Sequence, residues 1–454
     1  MGVGLNLIGQ LAAPQELENW FNAVWDWLGK SYPGMASGAG LGKTPDDEYL
    51  NVTLRFHPAA DPVKLWLSDA QVLHVSAETA SAGPGYHLFL CDVFWTMAET
   101  FGISWAPEDD ESDPDRSNPT FFSKDPEQAY YEMFSWLASM AASASIMSSS
   151  GTFRLAMSPS YQFFSEQALI TSMGPRSAAW LKEVAKNPGA GADVFPWLKP
   201  DAGAEYLLNR ALCHMWTDIR WCKPIADGDE ILMRNVLFLL KEAYKLDPAL
   251  NYPWREWAEI MAYAKVEDEL SPMVRKNAVA APISEPIGYR RRELRVMLDQ
   301  GWSVLIPGSF SESGTFDPAT MNHNWQFWND ELMIWFTTYP TYGDASGNIM
   351  PVNEAIKELD ELQKNLGDFV EEDSSGKVWR RTFMSGDPQK SDSFRFSSIL
   401  LVPGRLAMTH VFSQKKDDLD SAIGFFKAVD NTAGNSIKYL DQPRWPRVDL
   451  VSNN

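Results

Sequence analysis

Cysteine and histidine are scarce in this chain of 454 residues, with three of the first (Cys91, Cys213, Cys222) and six of the second. Three cysteines cannot build a disulfide framework, and an odd number leaves one thiol over, so reduced thiols in a cytosolic protein are expected. The cysteines form no CxxC, and the histidines at 57, 74, 87, 214, 323 and 410 form no HxH, HxxxH or HExxH. The spacings of zinc fingers, ribbons and zincins are therefore absent. Basic charge is also short. Lys and Arg total 39 against 60 Asp and Glu, and the net charge of −21 excludes a general binder of nucleic-acid backbones. No Lys or Arg precedes Lys30, so the basic n-region of a secretory signal is missing, and Asn6 stands where myristoylation needs Ser or Thr. The longest uncharged stretch, residues 133–153, carries serine from Ser135 to Ser150, too much hydroxyl for lipid. A soluble protein without a membrane span is expected.

Tryptophan is abundant instead, at 19 residues. Over Gln15–Leu28 the residues Trp20, Phe21, Val24, Trp25, Trp27 and Leu28 share an arc of about 160° at helical spacing, so an amphipathic helix with an aromatic, core-facing stripe is expected. Strand-like runs follow at Tyr49–Phe56 and Val63–Ala77, then a turn at Gly83-Pro84-Gly85 and a helix from Tyr86 to about Phe101. A helix over Pro126–Met147 leads to short strands at Thr152–Met157 and Ala168–Met173. From about residue 176 the pattern is helical: Ser177–Lys186, Ala204–Trp221, Asp229–Lys245 and Pro253–Lys265. The proline-bearing segment Leu270–Ile287 reads as a linker, dividing the chain into 1–285 and 286–454. Beyond it, strands are expected at Leu294–Leu298, Trp302–Ile306, Glu331–Thr338, Val378–Met384, Phe394–Leu401 and Leu406–Phe412, with the last two joined at Pro403-Gly404. Helices are expected over Val352–Leu366 and Asp417–Val429. The fold class is α+β: a mixed N-terminal domain with a helical second half, then an antiparallel sheet packed with helices.

The order of the C-terminal elements resembles the PsbP-like fold, also seen in EagR-type chaperones of secreted toxins. The residues that carry the likeness are Gly301-Trp302-Ser303-Val304-Leu305-Ile306-Pro307, the strand Leu332–Phe336, the helix Val352–Leu366, and the run Ile399–Val411 followed by a helix. The insertion Ser311–Asn324 departs from it. The resemblance covers about 295–430 and implies a protein that binds other proteins.

Chemistry-bearing motifs are few. Ser37-Gly-Ala-Gly-Leu-Gly-Lys43-Thr44 approaches a phosphate loop, but Ser37 replaces the first glycine and Pro45 with two acids follows in place of a helix. His87 and Cys91 are four apart on one helix, and with His74 they offer three groups that Asp92 or water could complete into a zinc site. Cys213 and His214 are adjacent on a helix and point about 100° apart, so they cannot pair; His214 and Asp218, at i and i+4, can. No G-x-S-x-G elbow occurs. Six carboxylates, Glu108, Asp109, Asp110, Glu111, Asp113 and Asp115, crowd one loop. A calcium loop begun at Asp109 would place Pro114 at the required glycine and Thr120 at the bidentate Glu, so a docking patch for a basic partner is the functional reading. Arg290, Arg291, Arg292 and Arg295 form the opposite cluster, suited to an anion or to neutralising the acidic N-terminal part. Tyr252–Trp257 looks like a tetratricopeptide boundary, but no copy recurs at 34 residues. Trp325, Trp328 and Trp335 suggest a stacking platform or core.

These observations lead to the expectation of a cytoplasmic, non-enzymatic, cofactor-free protein that binds a protein with a basic surface. Such a protein suits a toxin-neutralising, chaperone-like or defence-complex role. The alternative is a metal-dependent enzyme with a site near Gly83–Asp92, using His74, His87 and Cys91.

Overall fold

The first strand, β1 (Gly4–Leu11), sets Leu5, Leu7 and Leu11 inward and Asn6, Ile8 and Gln10 outward, the two-residue period of a half-buried strand. A side chain at Gly9 would lie 2.6 Å from Ile103 and Trp105, so glycine is what lets the neighbouring strand close in. The computed structural model describes residues 3–36, 38–42, 51–69, 71–107, 118–148, 155–158, 163, 168–283, 285–317, 319–339, 352–359, 363, 365–374, 376–386 and 393–431.

After β1 come α1 (Leu17–Ser31), β2 (Gly38–Gly42), β3 (Asn51–Arg55), β4 (Val63–Asp69), β5 (Val72–Glu78), α2 (Pro84–Phe101) and β6 (Ile103–Pro107). The strands form one antiparallel sheet in the order β2-β3-β4-β5-β1-β6. Its inward face (Leu5, Leu7, Leu65, Leu73, Val75) shares one core with Trp20, Val24 and Leu28 of α1 and with Leu90, Phe94 and Met97 of α2. Helix α2 opens with Pro84 in its first turn and closes at Gly102, whose φ of 66° is the left-handed conformation glycine adopts without penalty. Of the segment weighed as a phosphate loop, the described residues Gly38–Gly42 form strand β2, paired with β3; Ser37, Lys43 and Thr44 lie outside the described residues.

A helical layer follows: α3 (Pro119–Ser123), α4 (Pro126–Ser148), the two-residue parallel strands β7 (Leu155–Ala156) and β8 (Leu169–Ile170), then α5 (Ala178–Val184), α6 (Ala204–Thr217), α7 (Asp227–Leu246), α8 (Trp254–Ala264) and α9 (Ser271–Ala280). Helix α9 occupies most of the segment expected to be a linker. Pro272 stands in its first turn, where a missing N–H is tolerated, and Val274 is buried in a cluster with Ile260 and Met261. Among the described residues, no helix is long and apolar enough to cross a membrane.

The C-terminal part contains two antiparallel sheets where one was expected. Strands β9 (Glu293–Met297) and β10 (Trp302–Pro307) turn through Gln300 and Gly301, both at positive φ. Next come β11 (Ser311–Asp317), β12 (Asn322–Trp328), β13 (Leu332–Thr338), α10 (Val352–Glu358), β14 (Asp368–Asp373), β15 (Trp379–Ser385), β16 (Phe394–Val402), β17 (Arg405–Ser413), a helix over Leu419–Ala428, and β18 (Asp430–Asn431). The small sheet has the order β18-β10-β9 and the large one β11-β12-β13-β17-β16-β15-β14. Trp302, Val304 and Ile306 of β10 share a core with Phe327, Phe336, Phe396 and Phe426, so the small sheet and the C-terminal helix cover one face of the large sheet. On the opposite face, Ala355 and Leu359 pack with Phe383, Ile399, Leu401 and Met408. The chain is α+β.

Candidate functional site

The acidic loop, with Glu108, Asp109, Asp110, Glu111, Asp113 and Asp115, lies outside the described residues. The proposed metal trio does not converge. His87 is buried in α2; Thr79 Oγ1 donates to Val3 O (2.8 Å) and so accepts from His87 Nδ1 (3.0 Å), leaving Nε2 with a lone pair and no partner. Burial holds His87 down to about 4, so it is neutral at pH 7, and burial pushes the Cys91 thiol up. His74 alternates with the core residues Leu73 and Val75, so it faces away from them, stacked on Trp66 at 5.0 Å with Nε2 2.9 Å from Ser68 Oγ. Asp92 is exposed and accepts from Tyr32 Oη at 2.8 Å. Among the described residues, no group of three or more His, Cys, Asp and Glu side chains could hold a metal ion.

Cys213 and His214 diverge as helix geometry requires. His214 Nδ1 pairs with Asp218 Oδ2 at 2.8 Å, whereas the Cys213 thiol, pushed up to about 12 by burial, turns to Met173 Sδ at 3.7 Å. Tyr252, Trp254 and Trp257 form an aromatic cluster with Tyr244 at ring separations of 5.2–6.3 Å, a structural use of the Tyr252–Trp257 segment.

The arginine run lines a cleft of about 440 Å³ between the helical layer and the C-terminal sheets, together with Arg220, Trp221 and Gly308. Its guanidinium groups are engaged. Arg290 Nε donates to Thr217 O (3.1 Å), NH1 to Gly308 O (3.3 Å) and NH2 to Glu312 (3.1 Å). Arg291 lies 3.6 Å over the Trp221 ring and forks onto Glu259 through NH1 (3.0 Å) and NH2. Arg292 pairs with Glu285 (3.0 Å), and Arg220 with Asp229 and the Phe310 carbonyl (3.1 Å). The cluster neutralises acids and ties the two parts together, as guanidinium forks do well. Arg295 lies apart, donating to Ser303 Oγ at 3.1 Å.

The three tryptophans of the stacking platform are split by strand alternation. Trp325 turns into the core with Phe327 and Phe336 as neighbours. Trp335 is exposed on β13, opposite Gln326 of β12 and His410 of β17. Met333, two residues earlier on the same face, sits opposite Trp328 and Phe412, and Trp335 meets Phe412 edge-on at 5.9 Å. An open aromatic patch results at the end of the large sheet that α10 leaves uncovered.

One cluster has no counterpart in the sequence reading. His57, from the connection after β3, packs among Tyr86 of α2, Trp197 and Tyr206 of α6, with ring separations of 5.8–6.3 Å from His57. A side chain at Gly85 would lie 2.4 Å from the Lys199 carbonyl and 2.7 Å from Trp197, so the Gly83-Pro84-Gly85 turn is what brings Tyr86 against Trp197. Backbone bonds Gly85 N to Trp197 O (2.9 Å) and Trp197 N to Ala82 O (3.0 Å) fix that approach. The four contributing positions are spread from 57 to 206, so no local spacing could have announced them. Neither a protein-family model nor a curated protein matches this chain.

Proposed function

We propose that the protein acts by binding another protein, one with a basic surface, in the cytoplasm, as a toxin-neutralising, chaperone-like or defence-complex subunit. The observation that carries this reading is the open sheet face, where Met333 and Trp335 are 39% and 42% exposed beside Phe412 and Trp328. Adjacent Trp, Met and Phe side chains left in water are the composition of protein-docking hot spots. The net charge of −21 favours a basic partner and raises its rate of encounter, with Glu108 to Asp115 as the densest run of carboxylate. The resemblance of residues 295–430 to PsbP-like and EagR-type proteins points the same way.

A photoreactive residue placed at Trp335 in the full chain, expressed in its host, tests this reading. The same residue at Tyr131, 70% exposed on α4, is the control. The expected result is a discrete adduct from position 335 alone, with a partner of net positive charge whose association slows when Asp109, Asp110, Glu111 and Asp113 become Asn or Gln. Identical adducts from both positions, or none from 335, would overturn it.

A further inference from the structure

Arg210 is a buried guanidinium with no carboxylate partner among the described residues. Its side chain on α6 donates from NH1 to Tyr206 Oη at 2.9 Å, its Nε finds no acceptor, and the residue is only 7% exposed. A charge taken out of water with no counter-charge is among the costliest arrangements in a protein interior.

Three further donors surround it in the same unpaired state. His57 accepts the Ala59 amide on Nδ1 (3.2 Å), so its proton sits on Nε2, which has no partner. Burial first, then the charges of Arg210 and His214, hold His57 well below its ordinary value, which keeps it neutral. Tyr86 Oη and Trp197 Nε1 are buried and also lack acceptors. The side chains are in mutual contact: Tyr86 lies 5.7 Å from Trp197 and Trp197 lies 4.4 Å from Tyr206, ring to ring. The charge of Asp61 reaches Tyr86, and Asp61 accepts the Ser158 hydroxyl at 3.2 Å.

Three buried N–H groups and one buried hydroxyl, all without a partner among the described residues and one of them carrying a fixed positive charge, favour a ligand that accepts hydrogen bonds and bears negative charge. We propose that His57, Tyr86, Trp197 and Arg210 bind one small anion, of halide or carboxylate size, which bolts the N-terminal sheet to the helical layer.

Crystals of the full chain soaked in bromide test this directly, with an anomalous peak expected in contact with Arg210 Nε and Trp197 Nε1. In solution, chloride or acetate added to protein in gluconate buffer is expected to raise the melting temperature to a plateau. A response to acetate alone assigns a carboxylate ligand, and a response to both assigns a simple anion site. Arg210→Gln should weaken the anion by about tenfold or more, the scale of one charge-assisted hydrogen bond. Tyr86→Phe and Trp197→Phe keep a ring while deleting one donor each, and they carry the test should Arg210→Gln fail to fold. Water at all four donors in the bromide crystals, or the same anion response in wild type and the Phe variants, would overturn the proposal.

Discussion

Arg290 and Thr217 join the two halves of the molecule: the guanidinium, at the threshold of the first C-terminal strand, donates through Nε to the carbonyl that ends α6, at 3.1 Å. The same side chain reaches Gly308 O and Glu312, so one buried cation holds three acceptors from both sides of the junction. A side chain at Gly308 would lie 2.4 Å from the Arg290 carbonyl, so the turn carrying one of those acceptors must be glycine to come so close.

Replacing Arg290 therefore acts on the junction. Arg290→Met should lower the unfolding free energy by roughly 3 kcal/mol, because buried acceptors lose a charged donor. Arg290→Lys should rescue little, since a single ammonium cannot span three acceptors set for a planar fork. Urea denaturation of the full chain reads this, and an unshifted midpoint for both variants would refute it.

Trp20 tests the aromatic helix. Its ring is 4% exposed and meets Phe101 edge-on at 6.3 Å. Trp20→Asp removes that burial and puts a carboxylate among Val24, Leu28 and Phe101, at a cost of about 4 kcal/mol or more. An unchanged melting temperature would show that this face is not core.

His87 sets a pH dependence. Its folded value of about 4 lies below the ordinary 6.5, so the neutral form is the one the fold prefers. The stability this represents is complete above pH 6.5 and is lost as pH falls through 4, amounting to roughly 3 kcal/mol. His87→Gln should flatten the stability profile across that window. An equally steep profile in the variant would place the acid sensitivity elsewhere, with His57 the next buried imidazole to substitute.

The long amphipathic helices and the Val- and Leu-rich strands were legible because their apolar spacing is strong: α1, α2, α7 and the β16–β17 hairpin stand within a few residues of where periodicity puts them. Strands made of glycine were not. In β2 the run Gly-Ala-Gly-Leu-Gly has the composition of a loop, and only its pairing with β3 makes it a strand. Likewise Ser311–Asn324, read as an insertion relative to the PsbP-like element order, supplies β11 and begins β12 at the edge of the large sheet, where half-exposed strands need little apolar content. Pro272 suggested a break and instead begins α9. As for sites, adjacency on a helix correctly kept Cys213 from His214. The buried donors around Arg210 were invisible because four separate segments supply them.

The strand order of the large sheet bears on synthesis. β13 ends at Thr338, yet its second neighbour, β17, begins only at Arg405. While the ribosome is still making the intervening stretch, the β11–β12–β13 meander exposes the free edge of β13, with Ile334 and Phe336 uncovered beside it. Such an edge is a template for pairing with another nascent chain on the same message. Once β17 has left the ribosome it closes that edge from within, and β18, made later, pairs with β10. A ribosome stalled between these points leaves the molecule at its most aggregation-prone.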